Sequence, residues 1–411
     1  MKETLDRATF RGLAASASGI GHGFASGSEG SLEAIRRLGS VQIDTISVVE
    51  RAHHHVLRTR IPGYDSDHLS ELEAEPRRII EYWSHAAAYI PIEDYRYCIP
   101  RMERIRAEGH EWFRAEKKSV ALVRRRIRAE GPMRAQDFEG AKGREGWWDW
   151  KPAKRALEYL FHSGELVAVG RRGFQKVYDL AERALPAGID LRRPSTEEMA
   201  AFYVDHAART LGIFAETDVA YMRKDGIEGI PAELAARVED GRLVKVRITD
   251  ELPSRPLFAT PERLAKPKPR RSAEGKLVVL SPFDPLIIDR KRSKRIFGTA
   301  YQLECYLPAG KREFGYFALP LLFLGPDGDA QLVGRLDAKA ERGRRALAAR
   351  RLSLDPPEAR ELSAAAFARI AAAALAGFAA FNGAESVELE RFESESGRLE
   401  RSLRAAVARL A

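Results

Sequence analysis

Apolar residues change period several times along this chain, and the changes mark its elements. Ala8 to Ala17 reads as a first helix. Ser31 to Leu38 reads as a second, with Leu32, Ile35 and Leu38 at helical spacing, after a glycine- and serine-rich stretch from Gly19 to Gly30. Residues 41–46 then alternate: Val41 and Ile43 share one face of an extended strand, while Gln42 and Asp44 share the other. On a helix the polar pair would diverge by about 200°, so extended backbone is what brings amide and carboxylate into one space. Ser47 and Glu50 have the Ser-x-x-Glu spacing of a capping box. They predict a helix that packs Val48, Ala52 and Val56 inward, places Arg51, His54, His55 and Arg58 on neighbouring turns, and closes before the Pro62-Gly63 turn. Leu69 to Trp83 and Glu93 to Ala115 are predicted helices, with His85 to Tyr89 leading into Pro91 between them.

Beyond residue 118 the order helix, helix, helix, hairpin is plain. Val120 to Ala129, Ala135 to Phe138 and Lys151 to Phe161 precede two predicted strands, Leu166 to Gly170 and Phe174 to Leu180, around Arg171-Arg172-Gly173. This is the winged-helix order, with Lys151, Lys154 and Arg155 on the exposed face of the third helix and Arg171 and Arg172 at the wing. A more degenerate version follows Pro194: a capping box at Ser195 to Glu198, helices from Met199 and Pro231, and a strand over Leu243 to Ile248. Pro261 to Gly275 reads as a linker. Strands are then predicted at 277–280, 302–307, 314–324, 331–336 and 386–390, with a basic helix over Asp289 to Ile296 and an alanine-rich helix over Glu358 to Phe381. The expected fold is mainly α with an α+β C-terminal part: winged-helix units over 1–118, 119–186 and 187–260, a linker over 261–276, and an α+β domain over 277–411.

Composition narrows the function classes. Lys and Arg outnumber Asp and Glu by 68 to 59, a formal charge of +9, which suits a nucleic-acid partner. Cys98 and Cys305 are the two cysteines, so neither a disulfide framework nor a cysteine-rich metal site is expected. No signal peptide is visible at Met1 to Phe10 and no apolar run is read as long enough for a membrane span, so a cytoplasmic protein is expected. His53, His54 and His55 are consecutive, and on a helix their rings point about 100° apart. No metal site and no cofactor are expected.

Several separated blocks resemble the AlkZ/YcaQ family of crosslink-repair DNA glycosylases. They are Val41-Gln42-Ile43-Asp44-Thr45-Ile46 with the following Arg51-Ala52-His53-His54-His55 and Arg58 to Pro62, Trp83 to Ala87, Leu280 to Pro285, Glu304 to Arg312, and Gly315-Tyr316-Phe317. The resemblance runs from about residue 5 to about 390 and implies tandem winged-helix units. It also implies a Gln-aliphatic-Asp catalytic motif of the YcaQ branch, with Asp44 the principal residue and Gln42 its helper. It places Arg51, His53, His54, His55 and Arg58 in the DNA-binding region, with His85 a weaker candidate of the same kind.

The expected activity is hydrolysis of the N-glycosidic bond of alkylated purines in double-stranded DNA by a monomer. N7-Alkylguanine is the expected substrate, with bulky adducts and interstrand crosslinks further candidates. A carboxylate beside C1′ would stabilise the positive charge that builds on the sugar. Lys154, Arg155, Arg171, Arg172, Lys291, Arg292 and Arg295 are the expected phosphate contacts. The bland reading of Gln42 and Asp44 is a polar turn before a surface helix, and Trp147, Trp148 and Trp150 read better as core than as base-stacking residues. Two rival functions share parts of the pattern. A winged-helix transcription regulator would leave the Gln42/Asp44 pair and the long C-terminal part unexplained, and a metal-dependent nuclease would need clustered acidic ligands that the sequence lacks.

Overall fold

The computed structural model describes residues 2–109, 115–138, 151–249, 256–265, 274–357, 362–394 and 396–409. Trp147, Trp148 and Trp150 and residues 266–273 of the expected linker lie outside them; the linker stretch opens with a short helix, Pro261–Ala265. The chain is mixed α/β around three sheets, and so richer in strand than the mainly α reading.

One five-stranded sheet runs Val41–Gln42, Ala87–Pro91, Ile79–Trp83, Leu166–Arg172, Gln175–Leu180, every neighbour antiparallel. Hairpins from either side of the boundary expected near residue 118 are therefore one sheet, joined where Glu81 pairs with Ala168. A four-stranded sheet includes Val244–Ile248 and Leu257–Ala259, and its outer strand is Lys2–Leu5, paired in parallel with Val244–Ile248. The third sheet is C-terminal: Lys276–Val279, Ala318–Leu324, Ala330–Glu341, Ala346–Leu354 and Ser386–Glu393. Its last pair is parallel, which a tight turn cannot connect. The Ala364–Phe381 helix makes that crossover, burying Phe367, Ala371, Leu375 and Phe378 against the sheet. At 18 residues, with Arg369 its single charge, this helix is long and apolar enough for a membrane span. The expectation that no run reaches that length is corrected here.

Three other expectations change. Leu69 to Trp83 is not one helix but a helix, Asp67–Glu73, and a strand, Ile79–Trp83. Pro76 cannot continue a helix ladder, and Ile79, Ile80, Tyr82 and Trp83 suit a pleated, buried surface. Residues 302–307 form no strand, because the Glu304 carboxylate accepts the backbone N–H groups of Phe314 at 2.8 Å and Gly315 at 3.1 Å and draws the segment into a loop. Strand Ala346–Leu354 was unforeseen. The predicted capping box at Ser195 and Glu198 is present and starts the Thr196–Thr210 helix.

Candidate active site

The site begins at a glycine. Helix Gly27–Leu38 ends at Gly39, whose φ is 68°, and a Cβ there would lie 2.0 Å from the His206 ring. Only glycine takes this left-handed turn while another residue packs so close. His206 also bonds the Leu38 carbonyl at 2.9 Å. The chain emerges as Val41–Gln42, with Val41 opposite Tyr89 and Gln42 opposite Ala88, and Ile43 N–H donates to Ala87 O at 2.8 Å. Val41 and Ile43 are buried while Gln42 and Asp44 are partly exposed, the alternation that extended backbone requires.

His85, from the turn between the two strands that support the motif, lies with Nε2 at 3.0 Å from Gln42 Oε1. Burial, then the Arg223 charge, pushes this imidazole down to about 4, so it is neutral at pH 7. An amide oxygen only accepts, so Nε2 carries the proton and donates, leaving the Gln42 amide N–H groups for another partner. Asp44 Oδ1 accepts the Ile46 N–H at 2.7 Å. Burial raises the Asp44 carboxyl above its ordinary value, opposed by backbone hydrogen bonds from Ile46 and Thr45. No cation forms an ion pair with Asp44 among the described residues. Among the described residues this half-buried carboxylate has no fixed countercharge, and the amide two residues before it is oriented by His85. Gln42 and His85 also line a cavity of about 80 Å³ with Ser40, Tyr203, Tyr221 and Arg223. A second cavity of about 310 Å³ shares His85, Tyr203 and Arg223.

The C-terminal part holds the segment after the motif. Ala340 N–H donates to Val48 O at 2.8 Å, the Arg342 guanidinium to Ser47 O at 3.1 Å, and Glu50 N–H to Asn382 Oδ1 at 2.7 Å. Val49 and Ala52 belong to the same apolar core as Leu319, Leu336 and Phe378. These contacts change the local structure expected from sequence. Glu50 accepts the N–H of Arg51 at 2.9 Å and no Ser47 capping box forms. The helix is Ala52–Arg58, with Arg51 at the N-cap position and making no side-chain cap hydrogen bond.

The three histidines find different partners, although the His53 and His54 ring centroids lie 4.2 Å apart. His54 Nδ1 lies 2.8 Å from Tyr64 Oη, His55 Nε2 lies 2.9 Å from Val279 O, and the His53 ring faces Phe174 and Tyr89. His53 and His55 are only 3% and 1% exposed, so neither can be a direct phosphate contact as this structure stands. Arg292 is corrected for the same reason: it is 2% exposed and donates to Leu211 O at 2.9 Å. Arg295 is committed to Asp218. At the hairpin expected to be a wing, Arg171 donates to buried Glu81 at 2.8 Å and lies 4.5 Å from the Phe174 ring, with Arg51 at 4.1 Å from that same ring. This hairpin turn thus packs against the start of the motif helix, and Arg171 is a structural cation. Arg58 is half-buried, its guanidinium 6.0 Å from the Phe381 ring. Lys154, Arg155, Arg172 and Lys291 are exposed.

Sequence reasoning gave no role to Glu81, or to Cys305 and Tyr306, which come within electrostatic reach of Asp44. Aromatic residues set among Pro, Gly and basic residues in the 304–317 block were the available signal. Glu81 carried none, since a glutamate in a predicted helix reads as surface.

Comparison with known proteins bears on the fold and the family. The Streptomyces sahachiroi DNA glycosylase AlkZ has a similar fold, with a TM-score of 0.57 over 96% of this chain and 100% of that one, at 14% sequence identity. Residues 35–411 match the family described as DNA glycosylase AlkZ-like, from before the Gln42/Asp44 strand through the C-terminal sheet that frames it. The chain belongs to the AlkZ-like family of DNA glycosylases.

Proposed function

We propose that this DNA glycosylase is monofunctional and hydrolyses the N-glycosidic bond of alkylated purines, N7-alkylguanine first among them, leaving an abasic site. Bulky adducts and interstrand crosslinks are candidate substrates of the same chemistry. A purine alkylated at N3 or N7 carries positive charge and leaves without a strong acid, which suits a site whose histidine is neutral at pH 7. Bond breaking moves positive charge onto the sugar. Asp44 stabilises that charge and orients the attacking water, and Gln42, oriented by His85, holds the water or the base edge. Winged-helix units with Lys154, Arg155, Arg172 and Lys291 exposed would hold the duplex as phosphate contacts. The reading rests on one observation: Gln42 and Asp44 are partly exposed where Val41 and Ile43 are buried, and no cation forms an ion pair with Asp44 among the described residues.

The test is release of 7-methylguanine from a duplex carrying one such lesion. Asp44→Asn keeps shape and the Ile46 hydrogen bond while removing charge, so base release should slow by about 10²-fold or more with DNA affinity retained. Release by Asp44→Asn at the wild-type rate would remove the assignment. Sequence-specific binding to undamaged palindromes, with no base released, would favour a regulator.

A further inference from the structure

Tyr306 is 76% exposed, the most exposed large apolar side chain among the described residues, and Tyr316 beside it is 37% exposed. Neither sits on a loose tip. Glu304 accepts the N–H groups of Phe314 and Gly315, Leu307 N–H returns to Glu304 O at 2.9 Å, and Lys311 N–H to Pro308 O at 2.9 Å. Arg312 donates from Nε to Leu307 O at 2.9 Å while its guanidinium lies 5.0 Å from the Tyr316 ring. Asp337 accepts the N–H of Phe317 at 3.2 Å and anchors the far end. A braced loop therefore holds an aromatic ring in water within electrostatic reach of Asp44. Cys305 packs on the same core as Ile46, whose N–H binds Asp44.

A stacked purine shields its own sugar within the duplex, and opening a step loses stacking. Side chains that enter such a step take the place of the lost base contact, and base–aromatic stacking tolerates any sequence because every base has a π-face. Exposed Lys311, together with Arg312, whose guanidinium lies over the Tyr316 ring, gives the same loop positive charge suited to phosphates. We propose that Tyr306 enters the duplex beside the lesion and stacks on the neighbouring base, holding open the step through which Asp44 approaches C1′. This rests on the glycosylase reading and adds to it the element that opens the helix.

Two measurements test it. Single-turnover release of 7-methylguanine should be about 10-fold or more slower for Tyr306→Ala on duplex DNA, and close to wild type on the same lesion in a single strand. Tyr306→Phe and Tyr306→Trp should restore duplex release, because the ring and not the hydroxyl does the stacking. Wild-type duplex rates for Tyr306→Ala, or equal losses on duplex and single strand, would overturn the proposal. The second measurement needs no turnover. With 2-aminopurine beside the lesion, Asp44→Asn protein should change its fluorescence on binding, and Asp44→Asn with Tyr306→Ala should not. Identical signals from the two would also overturn the proposal. If wild-type protein releases no base from any alkylated DNA, the glycosylase reading fails by itself, and the fluorescence comparison still decides whether Tyr306 opens the step.

Discussion

Arg60 and Asp284 form a two-pronged ion pair, Nη1 to Oδ2 at 2.7 Å and Nη2 to Oδ1 at 3.0 Å, with both side chains wholly buried. Arg60 ends the segment that carries the motif helix, and Asp284 lies in the Leu280 to Pro285 block of the C-terminal part. The same guanidinium donates to Ser18 O at 2.7 Å and Val56 O at 2.9 Å. It fixes the first helix, the motif helix and the C-terminal domain to one another at a single point. Removing one partner strands the other as a buried, unpaired charge. Asp284→Ala should destabilise the protein by about 3–5 kcal/mol, seen as a large fall in Tm. A double change to apolar residues, Arg60→Met with Asp284→Leu, should lose less than the single one, and a greater loss would show that the ion pair contributes more than the absence of a stranded charge.

The Asp44 carboxyl is raised, so its ionised form is disfavoured by the fold. Below the unfolded-state value both states are protonated and there is no penalty; above the higher folded value both are ionised and the penalty is complete. Asp44→Asn should therefore melt above wild type at pH 7 to 8, with the gap closing as pH falls through the window between the two values. A lower Tm for Asp44→Asn at pH 7 would contradict this sign. An active-site group that costs stability is expected where strain serves chemistry.

The same shift sets the acid limb of catalysis. Base release should fall as Asp44 takes up a proton, with an inflection above the ordinary aspartate value near 3.8. His85 is held to about 4, so no inflection should occur near the ordinary histidine value of about 6.5. His85→Ala should slow release less than Asp44→Asn does, by freeing the Gln42 amide. An inflection near 6.5 that disappears in His85→Ala would make the imidazole a titrating participant.

Exposed and buried cations should separate in a salt titration. Reversing Lys154, Arg155 and Arg172 together to Glu should weaken binding to many duplexes about equally and flatten the slope of log affinity against log salt. Arg292→Gln should instead lower Tm, since that side chain is buried against the Leu211 carbonyl. Sequence-selective loss from the triple reversal would point to a regulator.

The product should be an intact abasic site. Between residues 1 and 116 the single lysine is Lys2, which lies on the outer strand of the 244–248 sheet, and a carboxylate cannot form the imine that a lyase needs. Borohydride added during turnover should trap no protein–DNA complex, and strands should break only after hot alkali. Trapping would reveal an amine nucleophile.

How much of this could be read from the residues alone depended on range. Alternation over Val41 to Asp44 is local, and burial alternates accordingly, with Val41 and Ile43 buried and Gln42 and Asp44 partly exposed. The capping box at Ser195 is equally local and also forms. The box at Ser47 met partners some three hundred residues away: Arg342 takes the Ser47 carbonyl and Asn382 the Glu50 N–H. Arg292 and Arg295 sit in a run of charge that reads as surface, yet the helix they share packs Ile296 and Phe297 inward and turns Arg292 with them. The wing at Arg171 reads as a free arm because nothing in its own sequence shows Glu81 or Phe174 beside it. The Gln42–His85 bond crosses only one hairpin, but His85 lay in a segment whose preceding strand was taken for helix.

The backbone contacts of residues 47–55 have a consequence for how activity arises. Their partners, Val279, Ala340, Arg342 and Asn382, come late in the chain. In a nascent polypeptide carrying the motif, the first of these partners, Val279, follows its contact residue by 224 positions and the last, Asn382, by 332. Such long-range closure forms late in folding. Incomplete or proteolytically shortened products would thus carry the reactive residues without an assembled centre. In a protein meant to cut bases from DNA, that dependence acts as a safeguard, because base-removing capacity appears only with the finished fold.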